Sequence, residues 1–191
     1  MTDGIAWIAD AYDTYCLTCV RGVTGVELVT ALGGDPAHVI DAAAETDLLT
    51  LEDDWGGAAR FGEDGSWAWV LEHWSATGLD RPRLRALSSG TDALCLLETG
   101  ASPRWFVHAG DGRIAADFEP GVEPDQWGGQ AREPMVAALQ EAGALRPDGT
   151  AVEDCDVQRS LLRAVEIAFG VSLPRDVLLN GTTAAVPFGR A

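Results

Sequence analysis

The chain has 191 residues, with 30 acidic and 13 basic side chains and a formal charge of −17. Its 47% hydrophobic share is that of a globular domain and too high for an acidic disordered tail. There is no Lys and the 13 Arg are scattered, so no cationic cluster exists to grip phosphate, and the net charge repels nucleic acid and anionic membranes.

The charge is uneven: residues 1–54 hold 11 acids against the single Arg21. The N-terminus, Met1-Thr2-Asp3-Gly4, has no positive leader region, and no apolar run reaches the roughly 18 residues of a spanning helix. A cytoplasmic protein of one domain over residues 1–191 is expected. Cys16, Cys19, Cys95 and Cys155 are too few for a disulfide framework at this length and fit a reducing compartment.

In chain order, Ile5, Ile8, Tyr12 and Tyr15 recur at helical spacing behind Asp3, and Tyr15 to Val20 is rich in strand formers. Thr24 with Glu27 makes a capping box for a helix ending at Gly33-Gly34. Asp35-Pro36 is expected to start a short helix carrying Val39, Ile40 and Ala43. From about Gly57 to Glu119 the pattern is of strands. Three hairpins are expected: Ala58–Phe61 with Ser66–Trp74, Leu84–Ser88 with Ala93–Glu98, and Trp105–Ala109 with Arg113–Phe118. Pro120 to Arg132 reads as a loop. Helices follow over Pro134–Ala142 and Asp156–Phe169, the latter with one apolar stripe from Val157 to Phe169. The fold class implied is α+β: an antiparallel sheet of about six strands built from consecutive hairpins, packed by N- and C-terminal helices. The segments are 1–54 (acidic, mostly helical), 57–119 (sheet), 133–170 (helices) and 171–191 (a tail).

Few residues point to chemistry. Cys16-Leu17-Thr18-Cys19 has thiol-redox spacing, but on a strand its two thiols face opposite ways, which suits buried structural cysteines. His38, His73 and His108 form no local motif, and neither a phosphate-binding loop nor a nucleophile elbow is present. No catalytic residue, cofactor or metal site is assigned. Asp117 and Glu119 share a strand face and read as a solvated pair. Trp67, Trp69, Leu71 and His73 share the other kind of face, serving either as core or as an aromatic platform for a ligand, while Glu72 points the opposite way. The acidic stretch Asp41, Glu45, Asp47, Glu52, Asp53 and Asp54 is either a solvated face or a docking surface for a basic partner.

Three segments carry a resemblance. They are Tyr15-Cys16-Leu17-Thr18-Cys19-Val20-Arg21-Gly22-Val23-Thr24 running on to Ala31-Leu32-Gly33-Gly34-Asp35-Pro36; Gly65-Ser66-Trp67-Ala68-Trp69-Val70-Leu71-Glu72; and Phe106-Val107-His108-Ala109-Gly110-Asp111-Gly112-Arg113-Ile114 with Phe118-Glu119-Pro120. Together the chain resembles, over about residues 5–180, an uncharacterised domain-of-unknown-function family common in Streptomyces and related actinobacteria. It departs at Thr24-Gly25-Val26-Glu27, where a Pro and more acid are expected. The resemblance implies source and compartment and transfers no catalytic residue.

The sequence is thus read as a non-enzymatic, acidic protein-interaction module, of inhibitor or immunity type, docking a basic protein partner through the stretch from Asp41 to Asp54. The alternative is a small-ligand binder or enzyme using the Trp67, Trp69 and His73 face.

Overall fold

Alternation of side chains organises the centre of the molecule. A computed structural model describes residues 3–42, 48–49, 56–101 and 103–188. Strands β1 (Tyr15–Arg21), β4 (Trp67–His73) and β5 (Asp92–Glu98) are buried on both faces. They are flanked by β2 (Ile40–Ala42), β3 (Ala58–Asp64), β6 (Trp105–Gly110), β7 (Arg113–Phe118) and β8 (Thr183–Pro187). The sheet is open and antiparallel, in the order β2-β8-β3-β4-β1-β5-β6-β7.

Because successive side chains point to opposite faces, each strand feeds two cores. One face carries Leu17, Cys19, Trp67, Trp69, Leu94 and Phe106. It is covered by α1 (Ile8–Ala11), α4 (Glu133–Glu141), α5 (Val157–Phe169) and α6 (Arg175–Asn180). The other carries Cys16, Val20, Val70, Cys95 and Val107, covered by α2 (Gly25–Leu32) and α3 (Arg81–Leu87). Cys16 and Cys19 therefore lie on opposite faces, both fully buried. Cys16 Sγ sits 3.5 Å from Cys95 Sγ, and that contact together with burial holds the Cys16 thiol well above its ordinary pKa.

The helices start and stop for local reasons. Thr24 caps α2 with a full capping box, and Gly33 closes it in the left-handed region at φ 102°. Asp156 accepts from Arg159 N–H to start α5, and Gly170 ends it at φ 65°. Around the sheet, Asp117 accepts from Nε and Nη2 along one guanidinium edge of Arg81 (2.6 and 2.9 Å) and from the Trp105 indole N–H, so it is an ion-paired anchor for α3 and not a solvated carboxylate.

Several expectations are corrected. The sheet has eight strands, not about six. The strand expected at Leu84–Ser88 is α3, started by Asp80 and Pro82, and β5 pairs with β1 and β6. The helix expected after Pro36 is a single 3-10 turn (Pro36–His38), and Ile40 belongs to β2. The helix expected from Asp3 is confined to Ile8–Ala11. The tail contains α6 and β8, and β8 is an interior strand between β2 and β3.

The free edge of β7 is blunted by the segment that follows it. Gly128 exchanges backbone hydrogen bonds with Asp117 (2.8 and 3.1 Å), and Ala131 N–H donates to Ala115 O at 2.9 Å. Between them Gly129 has φ 98°, and a Cβ there would lie 2.2 Å from Ala115 O and 2.5 Å from its carbonyl carbon. Both the backbone angle and a rigid neighbour forbid a side chain. Gly129→Ala is expected to lose about 3 kcal/mol, a fall of roughly 6–12 °C in Tm by thermal unfolding. An unchanged Tm would mean that this strap does not protect the edge.

Candidate binding cleft

At one end of the sheet the chain leaving α1, the start of β1 and the end of β4 meet around a cleft of about 360 Å³. Tyr12, Asp13 and Thr14 supply one side, His73 and Trp74 the other, and Leu48 part of the wall. Beyond Trp74 lies a second, shallower depression of about 340 Å³ bordered by Thr14, Ser75 and Glu98. The Trp74 indole is thus a partition between two concavities, 43% exposed.

Its position follows from Glu72. That side chain is fully buried on the α2/α3 face, where an isolated carboxylate is costly unless hydrogen-bonded. Thr77 N–H, Gly78 N–H and the Ser75 hydroxyl each donate to it at 2.7 Å. To bring the donors of Ser75, Thr77 and Gly78 back onto the residue that precedes His73, the chain must reverse at once. It does so at Trp74, with φ 63°, a left-handed conformation that costs a bulky residue on the order of 1–3 kcal/mol. The strain is held in place by the Glu72 hydrogen bonds, and it aims the indole outward.

The cleft walls are aromatic and mutually inclined. The Tyr12 and His73 rings are 5.7 Å apart at 62°, and His73 and Trp74 are 5.6 Å apart at 48°. Trp7, mostly buried, tilts against Tyr12 at 6.4 Å and 54°. His73 is 9% exposed, and its Nε2 meets no hydrogen-bond partner among the described residues. Burial, with the nearby Arg60 guanidinium, pushes its pKa down to about 4, so the imidazole is neutral at physiological pH. Arg60 is itself buried on the same face, with Nη1 donating to Leu178 O at 2.9 Å at the end of α6.

Of the residues singled out from the sequence that the structure describes, His73 alone reaches this cleft. Trp67 and Trp69 do share its face of β4, but they are 3% and 2% exposed, beneath the helical layer. Trp67 donates its indole N–H to Phe169 O at the end of α5, at 3.2 Å, and carries the Arg21 guanidinium over its ring at 4.7 Å. These two indoles are core and present no open platform. Asp41 is exposed on β2. Glu45, Asp47, Glu52, Asp53 and Asp54 lie outside the described residues, though in sequence they bracket Leu48 of the cleft wall. Tyr12, Asp13 and Trp74 were not legible as site residues: nothing in the sequence marks a tryptophan for positive φ.

Among the described residues no group of three or more His, Cys, Asp or Glu is arranged to hold a metal ion, and no helix is long and apolar enough to cross a membrane. No curated protein and no solved structure matches the chain. The model of a family of unknown function, DUF6461, matches residues 3–183, nearly the whole length, and the chain belongs to that family.

Proposed function

We propose that this DUF6461 member is a binding module that takes a cationic side chain of a basic protein partner into the Tyr12/His73/Trp74 cleft. The observation carrying this reading is Trp74, held outward in a strained conformation beside a cleft that it half encloses. Backbone strain in a non-glycine residue is retained only where surrounding structure enforces it, and such residues concentrate at ligand clamps.

Three features favour a cation as the occupant. The rings are inclined by about 50–60° to one another, making a box more than a flat stacking platform. A cation over such rings gains about 0.5–2 kcal/mol, more as water is excluded. His73 stays uncharged at physiological pH, so it adds a π-wall without adding repulsion. Asp13 on the cleft wall and the net charge of −17 favour a positive guest and raise its association rate, against a local opposing field from buried Arg60. The acidic stretch from Asp41 to Asp54 is part of the same proposal, as the surface that draws in the basic partner. A cytoplasmic setting in an actinobacterium goes with it, in keeping with a chain that has no Lys and a single Asn.

The test is calorimetric titration with an Arg/Lys-rich peptide at low and moderate salt. Wild-type protein is expected to bind with an affinity that falls as salt rises, and Trp74→Ala to bind about tenfold more weakly, the equivalent of 1.4 kcal/mol. The stability of Trp74→Ala should be no lower by more than about 1 kcal/mol, because the residue is exposed and strained. Equal binding by wild type and variant, or binding indifferent to salt, would sink the reading. The runner-up occupant, a free small cation, is favoured by the cleft's size, which falls within the range of small-molecule sites. Tetramethylammonium binding without peptide binding would select it.

A further inference from the structure

A second cavity lies away from the cleft, between the end of β7, α4, α5 and the segment joining them. It encloses about 250 Å³ and is partly open to solvent. Phe118 and Trp127 form one wall, stacked at 3.8 Å with their planes 9° apart. Leu139, Leu145 and Leu161, all buried, form much of the rest. The walls are thus mainly leucine and aromatic carbon around a partly open pocket, the kind of lining that small-molecule sites have.

Several of its polar groups are already committed elsewhere. The Trp127 indole N–H donates to Val122 O at 3.0 Å. Ala144 N–H donates to Leu139 O and Val152 N–H to Ala144 O, both at 2.9 Å, while Leu145 N–H also donates to Leu139 O at 3.3 Å. The lining therefore offers a guest little hydrogen bonding in return for its hydration, and water gains little by filling it. The only carboxylate among the described lining residues is Glu153, which disfavours an anionic head group. Cys155 also lines the space. It is half-buried, whereas Cys16, Cys19 and Cys95 are fully buried.

We propose that this cavity is a binding site for a small, uncharged, apolar molecule: one aromatic ring or a short alkyl chain. A leucine-lined cavity of about 150 Å³ stays dry and accepts benzene, so this one suits a guest of roughly ten non-hydrogen atoms. The site is independent of the cleft beside Trp74 and shares no residue with it.

Cys155 supplies the readout in the unmodified protein. A disulfide reagent such as dithionitrobenzoate is expected to label one thiol per native chain, Cys155. Saturating n-butylbenzene, at about ten times its dissociation constant, should slow that labelling about tenfold and raise Tm, because it fills the space against which the thiol sits. The anion 4-phenylbutyrate, the same carbon skeleton ending in a carboxylate, should do neither. Ala144→Leu, which grows a side chain into the cavity, should abolish the butylbenzene effect on Tm. An unchanged labelling rate with butylbenzene, equal protection by the anion, or a Tm rise that persists in Ala144→Leu would each overturn the assignment. Should Ala144→Leu fail to fold, the labelling comparison in wild type decides alone.

Discussion

Glu72→Ala is expected to destabilise the fold by about 3–5 kcal/mol, because it leaves three donors without their acceptor at roughly 1–3 kcal/mol for each that water does not reach. The carboxylate is fully buried and accepts from the Ser75 hydroxyl and from the backbone N–H groups of Thr77 and Gly78, all at 2.7 Å. Truncation strands three donors, of which the Gly78 N–H is buried and packed against Thr18: a Cβ on Gly78 would come within 1.9 Å of Thr18 Oγ1. Glu72→Gln keeps an acceptor and the side-chain volume, so its loss should be smaller. Urea unfolding measures both, as a drop in midpoint at constant m. The emission of Trp74 should also shift in Glu72→Ala, since the hydrogen bonds that hold its left-handed turn are gone. A midpoint matching wild type would show that the loop from Trp74 to Gly78 does not depend on the carboxylate.

Stability is expected to fall by on the order of 3 kcal/mol as pH drops from 7 toward 4, through His73 alone. Its pKa in the folded protein is about 4, against an ordinary 6.5, because burial and Arg60 oppose the charged form. Between these values the unfolded chain takes up a proton that the folded chain refuses. The contribution is therefore fully present above about pH 6.5 and lost as pH falls through 4. Asp10, Glu27, Asp35 and Asp148 are also pulled down in the folded state, by Arg159, by Thr24, by the Ala37 backbone and by Thr150 respectively. Their contributions fade only below the ordinary carboxylate range, outside the interval from about 4.5 to 6.5 in which His73 acts. His73→Gln should flatten the pH dependence of unfolding in that interval while leaving the acid limb below it. A variant with the same slope as wild type would show that His73 is not the buried neutral base described above.

Much of the framework was legible because its signals are local. The capping box at Thr24 and Glu27, the turn at Gly110-Asp111-Gly112 and the apolar stripe of α5 each lie within a few residues, and each formed as expected. The segment from Asp80 carried an equally local helix signal, an acidic cap followed by Pro82, but the short apolar run after it fits either period and was read as a strand. Strand β8 had no such advantage. It is five residues long, ends in Pro187, and takes its place only by pairing with β3 more than a hundred residues earlier.

The candidate site was less legible for a related reason. The shared face of Trp67, Trp69 and His73 follows from strand alternation, and the apolar stripe of α5 was plain. What the sequence does not state is that these two surfaces meet, which turns a possible platform into core. Likewise Tyr12 and His73 come together from α1 and β4, and the exposure of Trp74 depends on hydrogen bonds made by residues after it.

The position of β8 has a consequence for how the molecule is made. Emerging residue by residue from the ribosome, β3 has its β4 neighbour almost immediately, but its other flank stays bare until Thr183–Pro187 has been synthesised. Strand β2 waits equally long, since β8 is its partner in the sheet. From the synthesis of β3 until that of Thr183–Pro187 the nascent chain therefore exposes an unpaired strand edge, which is an invitation to pair with another chain. Strand β8 acts as a latch: its arrival joins β2 to β3 and closes the sheet on that side.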